Sequence, residues 1–292
     1  MIPDGPVTTV SSVNVNGVRA AAAKGFAAWL ATTPADVVCV QETRAQPGEI
    51  PDGLFDGWHL SYAPCTTAKG RNGVGVLTRV APEAVRVGIG DAPTPAPQSH
   101  RGGEFDGSGR YLEVDIPGLT VASLYLPNGT VGTPKQDEKD RFLALFAPYL
   151  HERRAKAATE DREVLVCGDW NIAPAEADIR NWRGNVKNSG FLPHERAWLA
   201  GLFDAGWVDV VRAQHPAVDG PYSWWSYRGR AFDNDTGWRM SPDLHNGDPH
   251  VRSALPGHPG RRSCLSPRRP AGRRVHSLHG RCCPSGDRSV RR

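Results

Sequence analysis

What the chain lacks narrows its class first. No stretch of its 292 residues approaches the ~18 consecutive apolar residues that a membrane-spanning helix needs. The start, MIPDGPVTTVSS, has neither a basic cluster nor an apolar run, so no export signal is expected. Cysteine is sparse, at six residues, and Cys39 and Cys167 sit inside apolar strand-like runs where a free thiol behaves as a small hydrophobe. Reduced thiols and a cytoplasmic location follow as expectations.

Scarcity also divides the chain. Residues 241–292 hold no Phe, Trp, Tyr, Ile, Met or Lys, and all 23 aromatic residues lie before them. That segment has instead 11 Arg, 7 Pro, 5 His and 3 Cys, with no apolar period of two or 3.6. It cannot bury enough surface to offset the entropy of ordering it. It reads either as a disordered basic tail that touches phosphates or as an out-of-frame translation of a GC-rich gene. A zinc site from His276, His279, Cys282 and Cys283 would lack an ordered scaffold.

The formal charge of +4 belongs to this segment alone. With 11 Arg against 3 Asp it carries +8, which leaves 24 basic and 28 acidic side chains, −4, in residues 1–240. Overall charge therefore says little about nucleic-acid binding, and local patches decide.

The first 240 residues read as one domain, with 241–292 as a tail. Strands are expected at 7–15, 36–41, 73–78, 111–116, 119–126, 164–167 and 222–227. Helices are expected at 18–31, 135–157 (with Pro148 as a kink) and 194–205. Strands mixed with helices in this order point to layered α/β architecture.

Polar residues follow several of these apolar runs. Asn14 follows Val13, Glu42 follows Val40-Gln41, and Asp169 and Asn171 follow VLVCG. Carboxylates with amides at strand ends are hard oxygen donors suited to Mg2+ or Mn2+. A divalent ion there neutralises phosphate charge and helps to form a hydroxide. Each residue alone has a plainer reading: Asn14 and Asp169 as turn formers, Glu42 as a solvated helix start. Their joint occurrence favours a site.

The segments VNVNGVRA (13–20), VCVQETR (38–44), YLPNG (125–129), GDWNIAP (168–174), FLPHERAW (191–198) and YSWWSYRGRAFDNDTGWR (222–239) occur in the order seen in exonuclease III-type abasic-site nucleases. Over residues 7–240 the chain resembles this branch of the endonuclease/exonuclease/phosphatase superfamily. QET and GDxN fit the whole superfamily; the last two segments are far more specific. The resemblance implies a four-layer α/β sandwich of two facing mixed sheets flanked by helices. It also implies a metal-dependent hydrolase of duplex DNA in base excision repair, a monomer, acting at abasic sites or 3′ ends with Mg2+ (or Mn2+).

Carried over, Glu42 is the principal metal ligand, with Asn14 in an inner or outer position. Asp169 is the base on the attacking water or a second metal-side carboxylate. Asn171 holds a phosphate oxygen, on the metal side as well, and Tyr125 lies by the scissile phosphate. Trp224, Trp225, Tyr227, Phe232 and Trp238 shape a pocket for an extruded deoxyribose, or are simply core. Lys69, Arg71, Asn72 and Arg110 are candidate phosphate contacts.

One departure stands out. The family continues with Arg-Ile-Asp and closes with Ser-Asp-His, whereas Arg239-Met240 here runs into Ser241-Pro242-Asp243 with no Ser-Asp-His after it. The family's C-terminal Asp and its Asp-His pair have no counterpart, and His245, His250 and His276 lack strand-like flanks. The last sheet strands are expected to be missing, which would expose residues 164–166 as an edge and favour aggregation. The alternative to a hydrolase is thus a catalytically dead remnant with weak DNA binding, or another phosphodiesterase of the superfamily.

Overall fold

The computed structural model describes residues 8–90, 103–226 and 229–246. Readings of Tyr227, His250 and residues 247–292, including the zinc site, lie outside the described residues.

The strands are β1 (Val10–Asn14), β2 (Val37–Gln41), β3 (His59–Ala63), β4 (Val74–Thr78), β5 (Ala84–Val87), β6 (Tyr111–Ile116) and β7 (Leu119–Tyr125). The set is completed by β8 (Glu163–Asp169), β9 (Val208–Asp209), β10 (Trp224–Trp225), β11 (Gly237–Trp238) and β12 (Leu244–His245). The helices are α1 (Val18–Ala22), α2 (Phe26–Thr32), α3 (Pro134–Thr159), α4 (Pro193–Asp204) and α5 (Val210–Gln214). The helix expected at 18–31 is split, because Gly25 takes a left-handed φ of 94° and starts α2. Helix α3 begins at Pro134, where the Thr133 side chain accepts from Lys135 N.

Two sheets face each other, one ordered β1-β2-β4-β3 and the other β5-β6-β7-β8-β12-β9. The runs VVCVQ and VGVLT are buried at every position, as strands covered on both faces must be. Val37, Cys39 and Val76 meet Leu112, Val121, Leu165 and Cys167 between the sheets. Phe26 and Leu30 cover the outer face of the first sheet, and Phe142, Phe146 and Leu199 cover that of the second. The result is helix, sheet, sheet, helix, as expected.

The edge expected at 164–166 does not exist. Leu244 pairs with Val166 and His245 with Leu165, and the same two residues pair with β9 on their other side. Val164, Leu165 and Val166 are fully buried. Ser241–Asn246 therefore pack into the domain, past the boundary set at 240: Leu244 supplies the apolar plug, and Asn246 Oδ1 accepts from Val164 N at 3.1 Å. His245 stands in a strand after all, because its neighbours recruit it where its own flanks carry no alternating pattern.

Candidate active site

Both sheets deliver their polar residues to one end. Strands β1 and β2 run parallel with Asn14 beside Gln41, and β7 and β8 run parallel with Tyr125 beside Asp169. Glu42 follows immediately at a left-handed φ of 51°, which turns its side chain off the strand end. The Asn14 amide joins the two sheets: Nδ2 donates to Glu42 Oε1 at 2.8 Å and to Asp169 Oδ2 at 2.9 Å. Its Oδ1 accepts from Asn16 N at 3.0 Å and keeps a second lone pair, while its Nδ2 sets the spacing of the two carboxylates.

Asn171 is nearly buried and also left-handed, at φ 49°. Its backbone N–H donates to Asp169 Oδ1 at 3.1 Å, and its Nδ2 to the Leu126 carbonyl at 2.8 Å. An amide nitrogen has two protons, so one remains for a further acceptor. Burial, then the negative charges of Glu42 and Asp169, push the Tyr125 phenol far above the ordinary tyrosine range. It stays protonated and donates, within the fold to Glu42.

Arg44, which the motif reading passed over, carries the local positive charge. Its Nε donates to Glu42 Oε2 at 3.0 Å, and Nη2 lies on the same oxygen. Its position two residues after Glu42 is the signal that could have found it.

The expected DNA contacts separate into two groups. Lys69 and Arg71 are exposed on the loop between β3 and β4. Asn72 and Arg110 are not free surface groups. Asn72 Nδ2 is bound to the Ser108 carbonyl at 2.9 Å. Arg110 is buried, bonded to Glu138 at 2.8 Å, and its guanidinium stands 5.6 Å from the Tyr125 ring centre. Arg110 thus lies between Glu138 and the Tyr125 ring. Trp224 and Trp238 meet edge to face at 6.3 Å, as do Trp225 and Phe232 at 5.1 Å. All three Trp are half-buried: Trp224 and Trp238 form a partly open aromatic wall on one face of the β10–β11 ribbon, and Trp225, next in the strand, packs with Phe232 on the other.

The donor set fits a hard divalent ion. Among the described residues no three His, Cys, Asp or Glu side chains converge as a metal cluster. Two carboxylates from opposite sheets, held by an amide, match an ion that keeps several waters and takes one or two carboxylates. They do not match a closed zinc site.

Fold and site together define a phosphodiesterase-type α/β sandwich. The chain belongs to the Endonuclease/Exonuclease/phosphatase family, whose sequence pattern matches residues 11–279. It is 34% identical over 230 residues to an exodeoxyribonuclease of Bacillus subtilis (strain 168), covering 78% of this chain and 84% of that protein. It is 31% identical over 234 residues to a DNA-(apurinic or apyrimidinic site) endonuclease of Dictyostelium discoideum, covering 79% of this chain and 60% of that one. Its fold is similar to that of an AP endonuclease from Archaeoglobus fulgidus, with a TM-score of 0.69 and 26% identity over 81% of this chain and 86% of that one. Among the described residues no helix is long and apolar enough to cross a membrane.

Proposed function

We propose that the chain is a divalent-metal-dependent phosphodiesterase acting on duplex DNA, cutting at abasic sites or removing nucleotides from 3′ ends. The observation that carries this is the Asn14 amide holding Glu42 and Asp169 together across the two sheets, beside the Tyr125 phenol. The names of the Bacillus, Dictyostelium and Archaeoglobus proteins support the substrate class.

Glu42 and Asp169 would hold Mg2+ (or Mn2+), with Asn14 in the outer position. When bound, the ion supplies charge neutralisation at the phosphate and a more acidic water. The chain's own groups do the rest. Asp169 accepts the proton of the attacking water or shares the ion. Asn171 Nδ2 donates to a phosphate oxygen, and the single Tyr125 proton, which Glu42 accepts in the fold, turns to another when the substrate is bound. The half-buried Trp224 and Trp238 wall one side of a pocket for an extruded sugar, and Trp225 with Phe232 backs the other face of the same ribbon. Lys69 and Arg71 meet the backbone without reading sequence. Buried free Cys39, Cys65 and Cys167 support a reducing compartment, the cytoplasm, and we take the working form to be a monomer.

A second reading, an inactive DNA-binding remnant, rests on the missing family Asp and Asp-His pair after Arg239. A duplex with one abasic site, incubated with Mg2+ and with EDTA, separates the two. Nicking that EDTA abolishes is the expected result; retention of the duplex without nicking favours the remnant, and nicking in EDTA contradicts the metal site.

A further inference from the structure

Lys139 of α3 and Glu195 of α4 lie outside the metal and phosphate set, yet directly behind it. Both side chains have 0% exposure, and the ammonium stands 2.8 Å from Glu195 Oε1. Replacing a buried ion pair by apolar groups of similar volume is often neutral for stability, so stability alone does not explain this one. Its other bonds do. Lys139 Nζ donates to the Asn171 carbonyl at 2.9 Å. Glu195 Oε1 accepts from Gln136 Nε2 and Ser189 Oγ, each at 3.1 Å. Its Oε2 accepts from Gly190 N at 2.7 Å and Leu192 N at 3.1 Å.

Two neighbouring segments are therefore fixed by one pair of charges. On the Lys139 side, Asn171 takes a left-handed φ of 49°, a conformation Asn tolerates better than most L residues, and the bond from Lys139 Nζ to its carbonyl fixes the peptide there. On the Glu195 side, Gly190 is held at φ 92°, and its carbonyl accepts from Ala173 N at 2.8 Å. A Cβ added at Gly190 would stand 3.1 Å from the Asn171 carbonyl oxygen and 3.3 Å from Trp238 Cζ3. Asn171, Gly190 and Trp238 are thus in close succession, with no slack between them.

We propose that the buried Lys139–Glu195 pair is a positioning device that sets the phosphate-holding Asn171 and the aromatic wall at Trp238 in register with each other. The pair acts through the Asn171 carbonyl and the Gly190 backbone and touches no reacting atom. Its catalytic consequence rests on the phosphodiesterase reading above; the mechanical coupling does not.

The test uses Lys139→Met and the double variant Lys139→Met/Glu195→Gln, which cancels the unpaired charge. Hydrogen exchange in the full chain is expected to quicken together in two places. One is the amides of Asn171, Ala173 and Gly190; the other is those of Ser223 and Arg239 beside Trp238, while β7 and β8 interior amides keep their protection. The double variant regains thermal stability but keeps the fast exchange. Its kcat on an abasic duplex stays about 10-fold or more down with little change in KM, since misplacement of about 1 Å alone can cost 10²-fold. Exchange that quickens only around α3, or uniformly, overturns the coupling, as does a double variant whose turnover returns with its stability. If no form cleaves DNA, the functional reading fails and the exchange pattern alone decides the coupling.

Discussion

One amide, that of Asn14, gives protons to two carboxylates from different sheets, Glu42 at 2.8 Å and Asp169 at 2.9 Å. Asp169 also accepts from Asn171 N, so it links the Asn14–Glu42 group to Asn171. Asp169→Asn keeps its shape and loses its charge and basicity. In a form with the family's closing segment restored, it is expected to lower turnover by ~10²-fold or more, within the range for general base catalysis. The thermal midpoint should scarcely move; more than half the activity retained would reduce Asp169 to a turn residue. That Asn14, Glu42, Asp169 and Asn171 gather at one end of the sheets was legible because each lies at or within three residues of the end of an apolar run. Arg110 was not: a cation opening a strand looks like a surface group, and nothing nearby in sequence announces Glu138 or the Tyr125 ring. The two roles part in a binding assay. Arg71→Ala should weaken duplex binding and flatten the slope of log affinity against log salt by about 1. Arg110→Met should slow turnover and leave that slope alone; a flattened slope would return Arg110 to the phosphate contacts.

Long elements announced themselves and short ones did not. β2, β4, β6, β7 and β8 are runs of apolar and β-branched residues, and α3 spans 26 residues behind its Thr133 cap. β5 has only four residues, AVRV, with Val85 and Val87 exposed, and it is held by charge as much as by pattern. Arg86 bonds both oxygens of Asp115 at 2.6 Å, tying β5 to β6. Burial alone would raise the Asp115 carboxyl, but the hydrogen bonds from Arg86 and Thr120 outweigh it and hold the group below its ordinary range. A depressed folded value means stability that is present above the unfolded pKa of about 3.9 and lost as pH falls through the folded one. Asp115→Asn should therefore melt below the parent at neutral pH, with the gap closing below about pH 4 as the parent loses its own advantage. A gap that persists or widens in acid would place the loss in packing instead. Lys139 and Glu195 escaped notice for a related reason: on separate helices, each reads alone as a solvated charge.

At the scale of the whole molecule, the acidic balance of residues 1–240 means that the proposed DNA binding needs a local face, and Lys69 and Arg71 are exposed on the loop between β3 and β4. The closing segment marks the other limit of sequence reading. SPDLHN shows no strand pattern, yet two of its residues pair on both sides between β8 and β9. No Ser-Asp-His follows it in the sequence, so the loss that the resemblance implies would fall on chemistry, while the sheet at β8 is closed. Since one preorganised donor is typically worth ~10²–10³ in turnover, replacing the segment after Arg239 by the family's own should raise abasic-duplex cleavage by about 100-fold or more. Equal rates would show that this chain supplies the missing groups from elsewhere.

The most direct test of the site is the rate of abasic-duplex cleavage against Mg2+ concentration, for the chain and for Glu42→Gln. The account predicts a saturating dependence that EDTA abolishes, with half-saturation moved to about 10-fold or more Mg2+ by the substitution, the least that loss of a direct ligand should cost. Cleavage without metal, or a half-saturation that Glu42→Gln leaves in place, would contradict it.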